Sequence, residues 1–362
     1  MEKIKAVIIG LGRIASLLEE DSRREKPCTH AGAIAANPDC VLAGGCDIEE
    51  ERRRLFAEKW HVPVYSDAGE MLREQNPHIL VIATHPDSHY CHCRLAADHG
   101  VPVVICEKPL ADTLKAARKI AGLGGRSKII TNHERRYSAD YIKTRDILAS
   151  EELGRLLSIR AILYMGKDRR LLDVFWHDGT HLADAIMFLT GSALEHRKAW
   201  GTRLTASTGT AWLEGRLAQQ KSAPVIIEIG GGRDHCDPAP VPVIIEIGAG
   251  RDHCDLAPVP VIIEIGAGRD HLVFEIEFSS TKGRLRIGNG VFEVWKSGES
   301  PYAENFRSLE RVTPSFGGPT GYFANMIADA VSCVRESNRR PVSSAADGLA
   351  VIEYLNSVKA WR

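Results

Sequence analysis

KIKAVIIGLGRIA, Lys3–Ala15, decides the reading of the fold. Lys3–Ile9 is a β-rich apolar run that passes directly into Gly10-Leu11-Gly12-Arg13-Ile14-Ala15. This is a G-x-G-x-x-A pattern placed after a strand and before an expected helix, the arrangement of a dinucleotide-binding turn. Gly10 permits the tight turn, Gly12 lets the backbone approach a pyrophosphate, and Ala15 allows close helix–strand packing. The N–H groups at the helix start would face the phosphates. Gly10, Leu11, Gly12, Arg13 and Ile14 are therefore candidate cofactor-binding residues. The next strand, Val41–Cys46, ends at Asp47, whose carboxylate can accept from ribose hydroxyls and would repel a 2′-phosphate, favouring NAD over NADP. The interval from Gly12 to Asp47 is 35 residues, longer than the usual ~20. The polar stretch Glu19–Thr29 accounts for the excess as an insertion before a helix over His30–Ala36.

Downstream the pattern alternates. Helices are expected over Glu49–Lys59, Ala68–Gln75, Ser88–His99 and Leu114–Leu123, and strands over Val64–Tyr65, Ile79–Ala83, Val101–Cys106 and Lys128–Thr131. Such alternation predicts a parallel, doubly wound sheet. Thr84, His85, Glu107 and Lys108 all fall at carboxyl ends of strands, the edge where open α/β sheets bind ligands. In VPVVICEKPL, Val101–Leu110, a strand buried on both faces ends in Glu107-Lys108-Pro109 and sets one ammonium at that edge. Cys91-His92-Cys93 resembles a metal cluster, but residues two apart on a helix face different ways, so no metal is expected there.

Charge is balanced, with 46 Lys and Arg against 47 Asp and Glu, which argues against nucleic acid or a membrane surface as partner. Nine cysteines in 362 residues, with no expected leader, point to a reducing compartment and a cytoplasmic protein. No apolar run approaches the ~20 residues that span a bilayer.

Gly10-Leu-Gly12-x-x-Ala15, Thr84-x4-His89, Glu107-Lys108-Pro109 and the segment Phe175–Gly191, in this order, resemble the glucose–fructose oxidoreductase / inositol dehydrogenase / MocA family (Gfo/Idh/MocA). The resemblance runs from Ile4 to about Leu355, apart from an inserted stretch. It implies an N-terminal Rossmann domain, taken as 1–131, and a C-terminal substrate-binding and oligomerisation domain, taken as 132–362, of α/β class with an open, mostly antiparallel sheet. It also implies NAD(P)-dependent oxidation or reduction at a hydroxyl-bearing carbon of a sugar, cyclitol or sugar nucleotide. A homo-oligomer, dimer or tetramer, through the C-terminal sheet is expected. His89 joins the candidate cofactor-binding residues Asp47, Thr84, His85, Glu107 and Lys108.

TNHERRY, Thr131–Tyr137, resembles the family's N-x-R-R-F segment. It makes Arg135, Arg136 and Tyr137 candidates to reach substrate hydroxyls or a phosphate. In FWHDGTHLADAIMFLTG, Phe175–Gly191, His177 and His181 are four apart and share a face if the segment is one helix. Gly179, His181 and Asp184 match the family pattern D-x-G-x-H-x-x-D, whereas His177 stands at its first position and Asp178 follows one residue later. His181, as neutral imidazole, is the candidate base for the substrate hydroxyl proton. Lys108 is the candidate donor to the oxygen as its charge changes, and His177 orients. Asp178 and Asp184 are candidate substrate contacts. A UDP-linked aminosugar oxidised at its 3-hydroxyl is the specific expectation, and a non-catalytic NAD-binding sensor is the alternative.

Pro224–Val241, Pro242–Val259 and Pro260–His271 are near-identical copies with an 18-residue period, the mark of a tandem duplication. With two copies removed, the third and Leu272–Phe278 form an expected hairpin turning near Arg269-Asp270. The extra copies are expected to enlarge the sheet or loop out from it. Gly283–Ile287 and Val291–Trp295 form a second expected hairpin around Asn289-Gly290. Helices follow over Tyr322–Glu336 and Ala345–Ala360.

Overall fold

The computed structural model describes residues 2–165, 169–218, 259–267, 270–313 and 319–359. The first eleven elements alternate: β1 (Ile4–Ile9), α1 (His30–Ala36), β2 (Cys40–Cys46), α2 (Glu50–Trp60), β3 (Val64–Tyr65), α3 (Ala68–Gln75), β4 (Ile79–Ile82), α4 (His89–Asp98), β5 (Val103–Cys106), α5 (Leu114–Ala121) and β6 (Lys128–Thr131). The six strands pair in the order β3-β2-β1-β4-β5-β6, and every pair is parallel. This is the doubly wound Rossmann order, whose switch point lies between β1 and β4. β4 (ILVI) and β5 (VVIC) are buried at every position, as strands covered on both faces must be. Thr29 opens α1 by accepting from Gly32 N, and Asp67 opens α3 by accepting from Glu70 N, each supplying one of the donors' missing partners at a helix start.

The glycine motif departs from expectation in one respect. It runs not into an α-helix but into tight turns, with Ser16 N donating to Gly12 O and Leu18 N to Arg13 O, and then a 3-10 turn over Leu17–Glu20. The packing helix is delayed to α1, which closes on the motif through His30 N to Ile14 O (3.2 Å) and Ala31 N to Ala15 O (2.9 Å).

The remaining elements are α6 (Ala139–Ala149), β7 (Leu156–Tyr164), α7 (Leu171–His177), α8 (Gly179–Thr190), β8 (Leu194–Gly201), β9 (Gly209–Leu217), β10 (Pro260–Ala267), β11 (Val273–Ser280), β12 (Gly283–Gly288), β13 (Val291–Glu299), β14 (Arg307–Arg311), α9 (Tyr322–Arg335) and α10 (Ala345–Lys359). β7 to β14 form an eight-stranded sheet, β14-β13-β12-β11-β7-β10-β9-β8. Only β7–β10 is parallel. α7 packs on β10, and α8 on β7, β8 and β11. The β12–β13 hairpin turns through Asn289-Gly290 with Gly290 at φ 75°, as an Asn-Gly turn requires.

The hairpin expected of the third repeat copy and Leu272–Phe278 does not form. β7 lies between β10 and β11. The reason is a shared apolar row. Val261, Ile263 and Ile265 of β10 sit opposite Ile159, Ala161 and Leu163 of β7, and Phe278, Ile276 and Phe274 of β11 flank the same three residues from the other side. All nine are buried, so β7 satisfies both neighbours at once. The first two repeat copies, Pro224–Val241 and nearly all of Pro242–Val259, lie outside the described residues, and so do the strands expected of them.

The chain divides into two compact units, residues 1–139 with 318–353, and residues 140–317 with 354–362. This corrects the boundary at 131/132, because the first unit takes back a segment from the far end of the chain. Phe323, Met326, Ile327, Ala330, Val331 and Cys333 of α9 are buried in one core with Ile8, Ile34, Val81 and Ile105. Glu25, in the stretch that the sequence marks as an insertion, holds the start of α9 by accepting from Gly321 N (2.7 Å) and Thr320 N (2.9 Å).

Candidate functional site

The carboxyl ends of β1, β2 and β4 open onto a cleft of about 1080 Å³ within the first unit. Gly10, Gly12, Arg13, Ile14, Asp47, Thr84 and His85 line it, so seven of the expected cofactor-binding residues meet there. The two glycines differ. Gly10 sits at φ +85°, and a Cβ on it would come 2.7 Å from Ala83 O and 2.9 Å from Thr84 Cγ2. Protein packing alone therefore demands glycine at position 10. A Cβ on Gly12 would meet no protein atom within 4 Å, so the space it leaves open belongs to the cleft.

Leu11 is buried and contributes its backbone, with Leu11 N donating to Asp47 Oδ2 at 2.7 Å. Asp47 Oδ1 accepts from Glu49 N at 2.9 Å, and Arg52 Nη1 lies 3.6 Å from Oδ2. Asp47 thus ties the glycine turn to the end of β2 while it lines the cleft. Thr84 Oγ1 and Ser88 Oγ are 2.7 Å apart at the start of α4.

His89 and Glu107 are not at the cleft surface. The ring of His89 is fully buried, with Nε2 3.1 Å from Thr84 O and Nδ1 3.2 Å from Leu110 O. It joins the two loops that follow β4 and β5. Burial pushes its pKa down despite the two carbonyls, which push it up. Glu107 is buried as well. Its Oε1 accepts from Asn132 Nδ2 (2.6 Å) and lies 2.7 Å from His30 Nε2, and its Oε2 accepts from Lys108 N (3.2 Å). Burial pushes the Glu107 pKa up, but the His30 and Asn132 hydrogen bonds and the charge of Lys108 outweigh it, so the carboxyl is held below its ordinary range. Lys108 is half-buried at the end of β5.

Two expected substrate contacts are engaged elsewhere. Arg136 is buried against Asp347 Oδ1 (3.1 Å) and Val342 O (3.2 Å). Tyr137 is buried, and its hydroxyl donates to Asp329 Oδ2 (3.1 Å). Their partners come from residues 318–353, the segment that the first unit takes back. Arg135 pairs with Glu134 at 3.3 Å.

In the second unit His177 ends α7 and His181 lies in the first turn of α8, with Asp178 between them at φ −106°. His177 and His181 therefore lie on two successive helices, so the condition for their sharing a face, one continuous helix, is not met. Close packing explains Gly179, since a Cβ there would lie 3.0 Å from Phe175 Cδ2. Asp178 pairs with Arg169 Nη1 at 2.7 Å, and His181 N donates to Asp178 O at 3.1 Å. His177 and His181 are half-buried, and Asp184 is fully buried.

Sequence reasoning missed His30 and Asn132, which hold Glu107, and Ile48, Ser66, Asp67 and Arg73, which line the cleft. Asp67 carried a signal, a carboxylate directly before a helix. His30 carried none that linked it to Glu107. Among the described residues no three His, Cys, Asp or Glu come together as metal ligands, and no helix is long and apolar enough to cross a membrane.

Residues 4–129 match the sequence model of the Gfo/Idh/MocA oxidoreductase family, NAD-binding Rossmann fold. The chain is 26% identical over 156 residues to an inositol 2-dehydrogenase of Rubrobacter xylanophilus, a match spanning 42% of each chain. It thus spans under half the length of that relative. Two solved structures share the fold over 99% of this chain: a dehydrogenase from Chromobacterium violaceum (TM-score 0.72, 15% identity, 95% of that chain) and a UDP-N-acetylglucosamine 3-dehydrogenase from Acidithiobacillus ferrooxidans (TM-score 0.71, 15% identity, 97% of that chain). Over residues 4–129 the chain is thus similar to the NAD-binding Rossmann fold of the Gfo/Idh/MocA oxidoreductase family.

Proposed function

We propose that the protein is an NAD-dependent oxidoreductase acting on a hydroxyl-bearing carbon of a sugar or cyclitol. The observation that carries this reading is the cleft at the sheet's switch point, where Gly12 leaves room that no protein atom fills and Asp47 stands beside the glycine turn. That donor set fits a dinucleotide: backbone N–H groups at the turn for phosphate, and a carboxylate for ribose. NAD supplies the hydride acceptor when bound. The same carboxylate disfavours a 2′-phosphate, so NADP is the poorer ligand in this reading.

In the proposal Lys108 donates a hydrogen bond to the substrate oxygen, and His181, as neutral imidazole, takes the hydroxyl proton. His177 orients the base, and Asp178 and Asp184 are the proposed substrate contacts of the same segment. Each of these roles is an assignment to be tested by substitution. The more specific substrate is a UDP-linked aminosugar oxidised at its 3-hydroxyl. Arg136 no longer supports it, being paired with Asp347. Its support is the fold shared with the UDP-N-acetylglucosamine enzyme, while the sequence relative favours inositol. A homo-oligomer through the eight-stranded sheet belongs to the same proposal. One face of that sheet carries Arg160, Arg284, Arg286 and Arg311 paired with Glu264, Glu277, Glu275 and Glu293.

The test is NADH formation over inositols, free sugars, glucosides and UDP-sugars. Turnover of a polyol or sugar that is lost in Lys108→Ala and His181→Ala supports the reading. NAD binding with no turnover on any of them would favour a non-catalytic sensor.

A further inference from the structure

His30 lies 77 residues before Glu107 in sequence, yet its ring meets the Glu107 carboxylate at 2.7 Å with both groups buried. An ionised carboxylate only accepts hydrogen bonds, so Nε2 of His30 is the nitrogen that carries the proton. Nδ1 is buried with no hydrogen-bond partner among the described residues, so the Glu107 contact is the ring's one polar engagement there. The ring also stacks edge-on against Phe323 of α9 at 5.2 Å. Both carboxylate oxygens are then engaged. Oε1 is shared by His30 and Asn132, and Oε2 takes the backbone N–H of Lys108. At its other side, the backbone of His30 donates to Ile14 O in the glycine turn. One residue thus touches both the turn that faces the cleft and the carboxylate that fixes the lysine peptide.

We propose that His30 is a positioning residue for Lys108: through Glu107 it locks the peptide carrying the lysine and registers that peptide against the glycine turn. The proposal rests on the reading of Lys108 as the donor to substrate oxygen. Loss of the His30 bond leaves a buried carboxylate short of one charge-assisted partner, so that among the described side chains Asn132 alone still holds the segment through Glu107.

Hydrogen exchange in the peptide covering Glu107–Ala111 reads this without any turnover. In His30→Leu we expect its amides to exchange at least about tenfold faster, a local opening, with β1 and β4 unchanged. In His30→Gln, whose amide can still donate to Glu107, exchange stays within about threefold of the wild type. With a substrate in hand, kcat of His30→Leu falls about tenfold or more while the Kd for NAD is kept, as a misplaced catalytic group requires. Unchanged exchange in folded His30→Leu, or equal acceleration in the Leu and Gln variants, overturns the proposal. Should His30→Leu not fold, Glu107→Gln carries the test: its amide must set a donor against either Lys108 N or the His30 and Asn132 pair, so slow exchange there also overturns it. Lys108→Ala separates the two claims. If it keeps full turnover, the reading of Lys108 as the donor fails, whatever the loop does.

Discussion

Alanine at Gly10 and alanine at Gly12 have opposite expected consequences, although the two glycines are two residues apart in one motif. At Gly10 the backbone is left-handed at φ +85°, and the added Cβ would meet Ala83 O at 2.7 Å and Ala83 C at 2.8 Å. The left-handed conformation costs about 1–2 kcal/mol for an L-residue. Overpacking against backbone, which cannot rotate away, adds about 1–3 kcal/mol. The sum, about 3 kcal/mol, lowers the melting temperature of the first unit by roughly 6–12 °C for a domain of this size. At Gly12 no protein atom lies within 4 Å of the added Cβ, so stability changes by no more than about 0.5 kcal/mol. The methyl group instead occupies cleft space. The Kd for NAD should therefore rise at least about tenfold, equivalent to ~1.4 kcal/mol. The assay pairs a thermal melt without ligand with a calorimetric NAD titration for each variant. A Gly12→Ala protein that binds NAD as tightly as the wild type would refute the placement of the pyrophosphate, and an unchanged melt for Gly10→Ala would refute the packing argument.

Asp47→Asn should narrow the preference for NAD over NADP at least about tenfold, measured as a ratio of Kd values, because the charge that repels a 2′-phosphate is gone. For His89, burial depresses the folded-state pKa below the ordinary 6.5. Its stabilising share is thus fully present above pH 6.5 and is lost as the pH falls through the folded value, since the unfolded chain binds the proton first. Melts of the wild type and His89→Gln between pH 8 and 5 (about one unit apart) should show a shallower decline in the variant. Ala161→Leu forces three methylene-sized groups into the row between Ile263 and Ile276, and should cost about 1–3 kcal/mol in urea unfolding. A neutral result there would contradict the three-strand packing.

Much of the nucleotide-binding half was legible because its signals are local. Ile79–Ile82 and Val103–Cys106 are short apolar runs bounded by polar and Pro residues, and they became β4 and β5. Asp47 was legible from its place at the end of β2, though its bond to Leu11 N was not. What the sequence hid is pairing at long range. Nothing in Leu156–Tyr164 announces that it will sit between the third repeat copy and Val273–Ser280. That order follows from Ala161 and its buried neighbours, which only the assembled sheet brings together. The engagement of Arg136 and Tyr137 was equally hidden, because their partners Asp347 and Asp329 lie about two hundred residues further on. Whether His177 and His181 share one helix was left conditional by the sequence for a different reason, since periodicity does not report a local break such as the one at Asp178.

The central claim is hydride transfer to NAD from a sugar or cyclitol hydroxyl, with Lys108 as the donor to that oxygen. The most direct test follows the absorbance of reduced nicotinamide during incubation of the full chain with NAD and, in turn, inositols, free sugars, glucosides and UDP-sugars, with Lys108→Ala alongside. Reduction is expected with at least one of these substrates, with a loss of about 10²-fold or more in kcat/KM for the variant. Equal rates for wild type and Lys108→Ala, or NAD binding without reduction on every substrate, would contradict it.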